Sequence, residues 1–167
     1  PIEERAVPAS TIPGERAAKS QPAPTRPPAL VRQTFTEADL STRTPEVAAE
    51  LRERVRGYKP GSTFTPPSLE GTVTIPGLLG GANWSGASFD PASGLLFVNV
   101  NNLPYVLTIK QAAAGAGYPW AITGYNHFRD REGYPAVAPP WGQLIAVDLN
   151  AGEIRWKKTL GEYPQLV

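Results

Sequence analysis

The sequence predicts an all-β chain. Its antiparallel sheets make up about two blades of a β-propeller, with an extended Pro-rich arm and one short helix at the N-terminal side. Three observations lead there. Nineteen prolines and 16 glycines exceed a fifth of the 167 residues, which suits turns and short strands rather than a helix bundle. Helical periodicity is confined to one stretch, after which apolar residues alternate or run in short blocks bounded by Pro, Gly, Asn and Asp. Finally, a pattern of small-x-Asp-x-x-x-Gly followed by a strand occurs twice, at residues 88–97 and 146–155, with starts 58 residues apart. Propeller blades run about 40–50 residues, so one blade with a long insertion fits that gap. Rings close with about four to eight blades, so two blades leave strand edges that need covering.

Residues 1–43 form the arm. Pro8, Pro13, Pro22, Pro24, Pro27 and Pro28 each fix their own φ and push the preceding residue out of the helical region. Composition alone fits a disordered tail. Ile12, Leu30, Val31 and Phe35, however, punctuate the stretch as anchors on a larger body would.

Residues 44–61 hold the helix and a linker. Thr44 caps it, Pro45 suits the first helical position and Glu46 complements the dipole. Val47, Leu51 and Val55 share one face, and Gly57 is placed to end the helix in the left-handed conformation. Residues 62–167 carry the blades. Strands are expected at 71–75, 82–88, 95–98, 144–147 and 153–159, with turns at Asp90-Pro-Ala-Ser-Gly94 and Asn150-Ala-Gly152. Residues 111–135 contain Ala-, Gly- and Pro-rich loop with weak structure signals, and Asp130, Arg131 and Glu132 read as a solvated turn.

Several chemistries are excluded or narrowed. The formal net charge of +1 and the scattered basic residues favour no nucleic acid. No run of 18 apolar residues is present. Without Cys there is no thiolate chemistry, and with His127 as the single His, a zinc site rich in His and Cys cannot be built. Residues 115–117 lack the spacing of a phosphate-cradling loop. The chain contains no Met, and an internal segment of a larger protein is expected.

The segment Ala146-x-Asp148-x-x-x-Gly152-x-x-x-Trp156 resembles the tryptophan-docking motif of quinoprotein dehydrogenases, with Ala151 where that family usually has Thr. Gln21-Pro-Ala-Pro-Thr-Arg-Pro-Pro28, Phe64-Thr-Pro-Pro-Ser68, Gly80-Gly-Ala-Asn-Trp-Ser-Gly86, Asp90-Pro91, Leu103-Pro104 and Pro139-Pro-Trp-Gly142 follow in order. Together they resemble the C-terminal part of membrane-type glucose dehydrogenases that depend on pyrroloquinoline quinone (PQQ).

The resemblance implies an eight-bladed propeller with PQQ and a calcium or magnesium ion in its funnel. It also implies a periplasmic, possibly membrane-associated parent protein that oxidises a sugar or an alcohol. A quinone or a cytochrome would accept the electrons. The catalytic Asp, the cofactor-contacting Lys and the metal ligands would come from earlier blades, so no catalytic or metal-binding residue is expected here, and the chain alone should not turn over. The remaining blades would be partners of this piece. Trp156 would pack between blades.

One functional position matches. The resemblance places Asn99, four residues before Leu103-Pro104, where the family's amide reaches the quinone. An amide N–H stabilises negative charge developing on a quinone oxygen without titrating. Read from the residues alone, Asn99 is more simply a strand-end Asn satisfying a turn, because Asn101 and Asn102 follow. Trp84 either lines the funnel or packs inside a blade, and Trp141 either faces the funnel mouth or anchors its loop. A propeller module that binds a protein partner without catalysis is the alternative to the enzyme.

Overall fold

In the computed structural model of the chain, residues 1–84, 86–161 and 163 are described. The elements in chain order are β1 (Ile2–Ala6), β2 (Ser20–Pro24), a 3-10 turn (Glu37–Asp39), α1 (Pro45–Val55), β3 (Lys59–Pro60), β4 (Thr72–Thr74), β5 (Ala87–Asp90), β6 (Leu95–Asn101), β7 (Tyr105–Leu107), β8 (Ile109–Gln111), β9 (Trp120–Ile122), β10 (Asn126–His127), β11 (Gly142–Asp148) and β12 (Glu153–Thr159). The all-β class holds: strands dominate, and the sheets are antiparallel apart from a two-residue parallel pairing of β3 with β4.

Two four-stranded sheets carry the fold, in the orders β10-β7-β4-β3 and β12-β11-β6-β5. The second is a meander whose neighbours are all antiparallel. Its hairpins are the two copies of the sequence repeat. They lie side by side in one sheet, so the 58-residue spacing does not step from one blade to the next. The long segment between β6 and β11 leaves this sheet and supplies β7 and β10 to the other.

Each hairpin turns the same way for the same reason. Asp90 accepts from Ala92 N and Ser93 Oγ, and Asp148 accepts from Asn150 N and Ala151 N. Gly94 and Gly152, at φ 70° and 66°, then take the left-handed conformation that only glycine adopts cheaply. The Asp148 turn closes with Ala151 in place of Thr, through backbone donors.

The first core joins the helix to the β4–β7 sheet. Thr44 accepts from Val47 N at 3.2 Å. Val47 and Leu51 are fully buried with Val73, Phe128, Ala136 and Val137. Burying each large apolar side chain contributes about 1.5–3 kcal/mol. Gly57 does not end the helix in the left-handed region. The helix closes through Arg56 with ordinary helical φ and ψ, and Gly57 N bonds to Arg54 O. The second core lies on one face of the meander, where Val98, Val100, Ile145 and Val147 are covered by Leu30 and Val31.

The arm is extended as expected, and within it β1 and β2 pair as a hairpin while Trp120 Nε1 donates to Pro13 O at 3.2 Å. Ile12 and Phe35 are buried. Other expectations need correction. Residues 82–84 form bends, and the strand expected there begins at Ala87. Residues 111–135 carry two short strands besides loop, as β9 and β10 pair with β8 and β7. Asp130 is no solvated turn residue. It is 5% exposed and accepts from Arg43 Nη2 at 2.9 Å and from the backbone N–H groups of Glu132 and Tyr134. The end of the expected blade segment, residues 164–167, lies outside the described residues.

Candidate cofactor-binding site

Alternation along β6 fixes where Asn99 sits. Leu96, Val98 and Val100 turn into the second core, so Leu95, Phe97 and Asn99 belong to the opposite face. Asn99 pairs with Leu144, and Leu144 pairs in turn with Lys158. The neighbouring row on this face is Phe97, Ala146 and Trp156. The Phe97 and Trp156 rings lie 5.9 Å apart and both residues are half-buried. Asn99 is half-buried too, and among the described residues its amide has no hydrogen-bond partner. Its amide is not among the buried polar atoms left without a partner, so it reaches solvent and is open to a ligand.

Two loops meet the end of β6. Asn101 N donates to Gly81 O, and Asn102 N donates to Trp141 O, each at 2.8 Å. The loops bearing Trp84 and Trp141 therefore flank the strand that carries Asn99. Asn102 ties this junction together. Its side chain, 2% exposed, accepts from Arg32 N at 2.8 Å. Arg32 Nη2 reaches Ala138 O at 2.8 Å, just before the Pro139-Pro-Trp141 turn.

The two tryptophans differ. Trp84 is 80% exposed and packs on nothing within the described residues. Trp141 is half-buried with its Nε1 donating to Val137 O at 2.7 Å. Tyr134 stacks on it at 6.4 Å, and Tyr163 meets it edge-on at 5.1 Å. Arg43 lies over the Tyr134 ring at 4.6 Å and pairs with Asp130 and Glu132, each at 2.9 Å. Its hydrogen bond to Asp130 raises the Arg43 pKa further above its usual value. A cleft of about 550 Å³ opens beside Trp141, lined by Asn101, Leu103, Gly142, Thr159 and Tyr163 among others.

His127 lies elsewhere, on β10, where Nε2 is 3.0 Å from the hydroxyl of buried Tyr105. Desolvation, with a smaller contribution from Arg129, holds the imidazole pKa below its usual value. Among the described residues, no group of three or more His, Cys, Asp and Glu is placed to hold a metal.

Sequence reasoning missed Asn102 and the Arg43–Asp130 pair. Asn102 had no signal beyond its two Asn neighbours. Asp130 had a weak one, since Asp130-x-x-Gly133 is a turn one residue shorter than Asp90-x-x-x-Gly94, with the Asp carboxylate likewise accepting from the backbone N–H two residues on.

The strand expected to end at Val98 runs on to Asn101, so Asn99 stands inside the ladder rather than at a strand end. The family model described as "Glucose/ethanol/alcohol dehydrogenase, beta-propeller domain" matches residues 1–167, and the chain belongs to this PQQ family. It is 28% identical to the quinate/shikimate dehydrogenase (quinone) of Acinetobacter baylyi over 95% of this chain and 22% of that protein. It is 30% identical to the glycerol dehydrogenase large subunit of Gluconobacter oxydans, over 96% of this chain and 26% of that protein. It is 33% identical to the quinoprotein glucose dehydrogenase of Escherichia coli, over 59% of this chain and 15% of that protein. The chain thus spans about a quarter or less of these relatives. No solved structure matches it.

Proposed function

We propose that this chain is one section of a PQQ-dependent dehydrogenase that oxidises a hydroxyl of a sugar or an alcohol, and that it forms part of the wall of the cofactor funnel. The observation that carries the reading is the half-buried, unpaired amide of Asn99 on the meander of a PQQ-family domain. When bound, PQQ would supply an o-quinone able to accept two electrons. Asn99 would help hold it by donating an N–H, and would favour negative charge on the oxygen it faces. Trp141 lines the cleft at the end of β6, and Trp84 stands exposed on the loop whose Gly81 O accepts from Asn101 N.

The base that takes the hydroxyl proton and the ligands of a calcium or magnesium ion belong to other parts of the protein. The open face around the Phe97–Trp156 pair is the surface on which a neighbouring blade packs, and the Asn99–Leu144 row, one step nearer the end of β6, is left to the funnel. A periplasmic location, at or near the membrane, and a quinone or cytochrome electron acceptor fit this reading.

The test is turnover. The full-length protein, loaded with PQQ and calcium and given an artificial acceptor, oxidises glucose or glycerol, while residues 1–167 alone do not exceed background. Steady turnover by the 167-residue chain alone would sink the reading, because it would require a complete site within these residues.

A further inference from the structure

We infer, on the reading above, that Arg32 is a positioning residue for the wall of the cofactor funnel. From the N-terminal arm it sets the loop that carries Trp141, gripping it at two points.

The loop lacks donors where it turns. Pro139 and Pro140 have no backbone N–H. The chain on either side is tied down: Ala138 N donates to Asp39 O and Asn102 N donates to Trp141 O, each at 2.8 Å. Between these ties the carbonyls of Ala138 and Pro139 both accept from Arg32 Nη2, at 2.8 and 3.2 Å. A planar guanidinium carries several donors in a rigid fork and can serve neighbouring acceptors at once.

The Arg32 backbone supplies the second grip. Its N–H donates to Oδ1 of Asn102, the residue whose own N–H holds Trp141 O. Asn102 is buried, so its orientation is set by protein groups rather than by solvent. Leu30 and Val31, which cover the second core, bring Arg32 to this spot. A shift of the loop carries the indole with it, because Trp141 Nε1 is bonded to Val137 O in the same stretch.

Stability alone does not account for the arrangement. The guanidinium meets carbonyl oxygens rather than a carboxylate, and its Nη1 is buried without an acceptor among the described residues. A charged N–H left unpaired costs free energy, and such local costs gather where a chain holds a functional site. The candidate site is close by. Trp141 and Asn101 line one cleft, and Asn101 lies on the face of β6 that carries Asn99, roughly 7 Å further along the strand. Side chains that meet a ligand need such outside support to hold their geometry.

The experiment uses the full-length protein with Arg32→Ala, Trp141→Ala, both together, and Arg56→Ala. Arg56 is exposed at the end of α1, so its removal controls for the loss of a charge. PQQ titration gives cofactor affinity. Hydrogen exchange at the Asn102 amide of the cofactor-free protein reports the loop. Arg32→Ala is expected to raise the PQQ Kd by about 10-fold. It should also speed exchange at Asn102 more than at the amides of β4, and millimolar guanidinium should restore both. In the Trp141→Ala background, Arg32→Ala should change Kd by less than about 2-fold, because the side chain it positions is gone. Arg56→Ala should match the wild type throughout. Should Arg32→Ala fail to fold, Arg32→Lys takes its place in the same cycle. It keeps the charge without the fork, and its smaller rise in Kd should also vanish with Trp141 removed.

An unchanged Kd for Arg32→Ala overturns the inference. So does an equal rise in Kd with and without Trp141, which would make Arg32 a general stabiliser. If the wild type takes up no PQQ, the cofactor reading falls. Exchange at Asn102 then still decides whether Arg32 holds the loop, and an unchanged rate means that it does not.

Discussion

Replacing Trp156 with alanine separates what this sheet does for itself from what a neighbouring blade does for it. The indole sits across from buried Ala146 and 5.9 Å from the Phe97 ring. The residue is half-buried, because its sheet face is open. Removing a fully buried Trp costs about 3–5 kcal/mol, so half coverage corresponds to roughly 2 kcal/mol. Docking of a second blade would supply the rest. Equilibrium urea unfolding of the full-length protein should therefore show a loss of about 3–5 kcal/mol for Trp156→Ala. A double-mutant cycle with Phe97→Ala should give a coupling of about 0.5–1.5 kcal/mol. A loss near 2 kcal/mol would mean that no blade covers Trp156. An unchanged midpoint would refute the contact with Phe97 as well.

Two further outcomes follow from close packing and from titration. At Gly77 a Cβ would stand 1.7 Å from Tyr105 Cδ2, so Gly77→Ala should cost about 1–3 kcal/mol by overpacking, read as a lower thermal midpoint. Because the folded state lowers the His127 pKa, the unfolded chain takes up its proton first as pH falls. Stability from this residue is full above the ordinary His value of 6.5 and is lost as pH drops through the lowered one. His127→Phe should flatten that part of a thermal melt series between about pH 7.5 and 5, and an unchanged slope would contradict the desolvation of the ring.

Where the sequence carried a local chemical cause, it could be read. Thr44-Pro45-Glu46 and the stripe Val47, Leu51, Val55 specify the helix within a few residues, and Asp90 and Asp148 announce their hairpins. Tertiary partners decided the rest. The arm's prolines suggest an extended chain, and pairing with a second segment makes it a hairpin. Helical termination at Gly57 was misread because the following residues enter β3, and its pairing with β4 made the left-handed turn unnecessary. The repeat was visible, yet its spacing could not reveal that a 40-residue excursion returns to the same sheet.

At the site, Asn99 was singled out by the family resemblance alone; the sequence suggested a strand-end residue, whereas pairing with β11 carries β6 on to Asn101 and holds Asn99 within the ladder. The support of Trp141 by Tyr134, Arg43 and Asp130 depends on residues up to 98 positions apart, and no local pattern encodes it.

Titration of PQQ into the full-length Asn99→Asp protein tests the central claim most directly. The substitution keeps the shape of the side chain but replaces a neutral donor with a negatively charged acceptor, facing an oxygen that gains negative charge. Cofactor affinity should fall by about 10-fold or more and turnover by about 10²-fold, the scale for losing an oxyanion donor. Asn99→Ala should be milder, since it removes the donor without adding charge. Asn126→Asp, on β10 of the other sheet, should bind PQQ as the wild type does. If Asn99→Asp and Asn126→Asp bind the cofactor equally well, Asn99 is only a sheet residue and the chain's role at the cofactor is wrong.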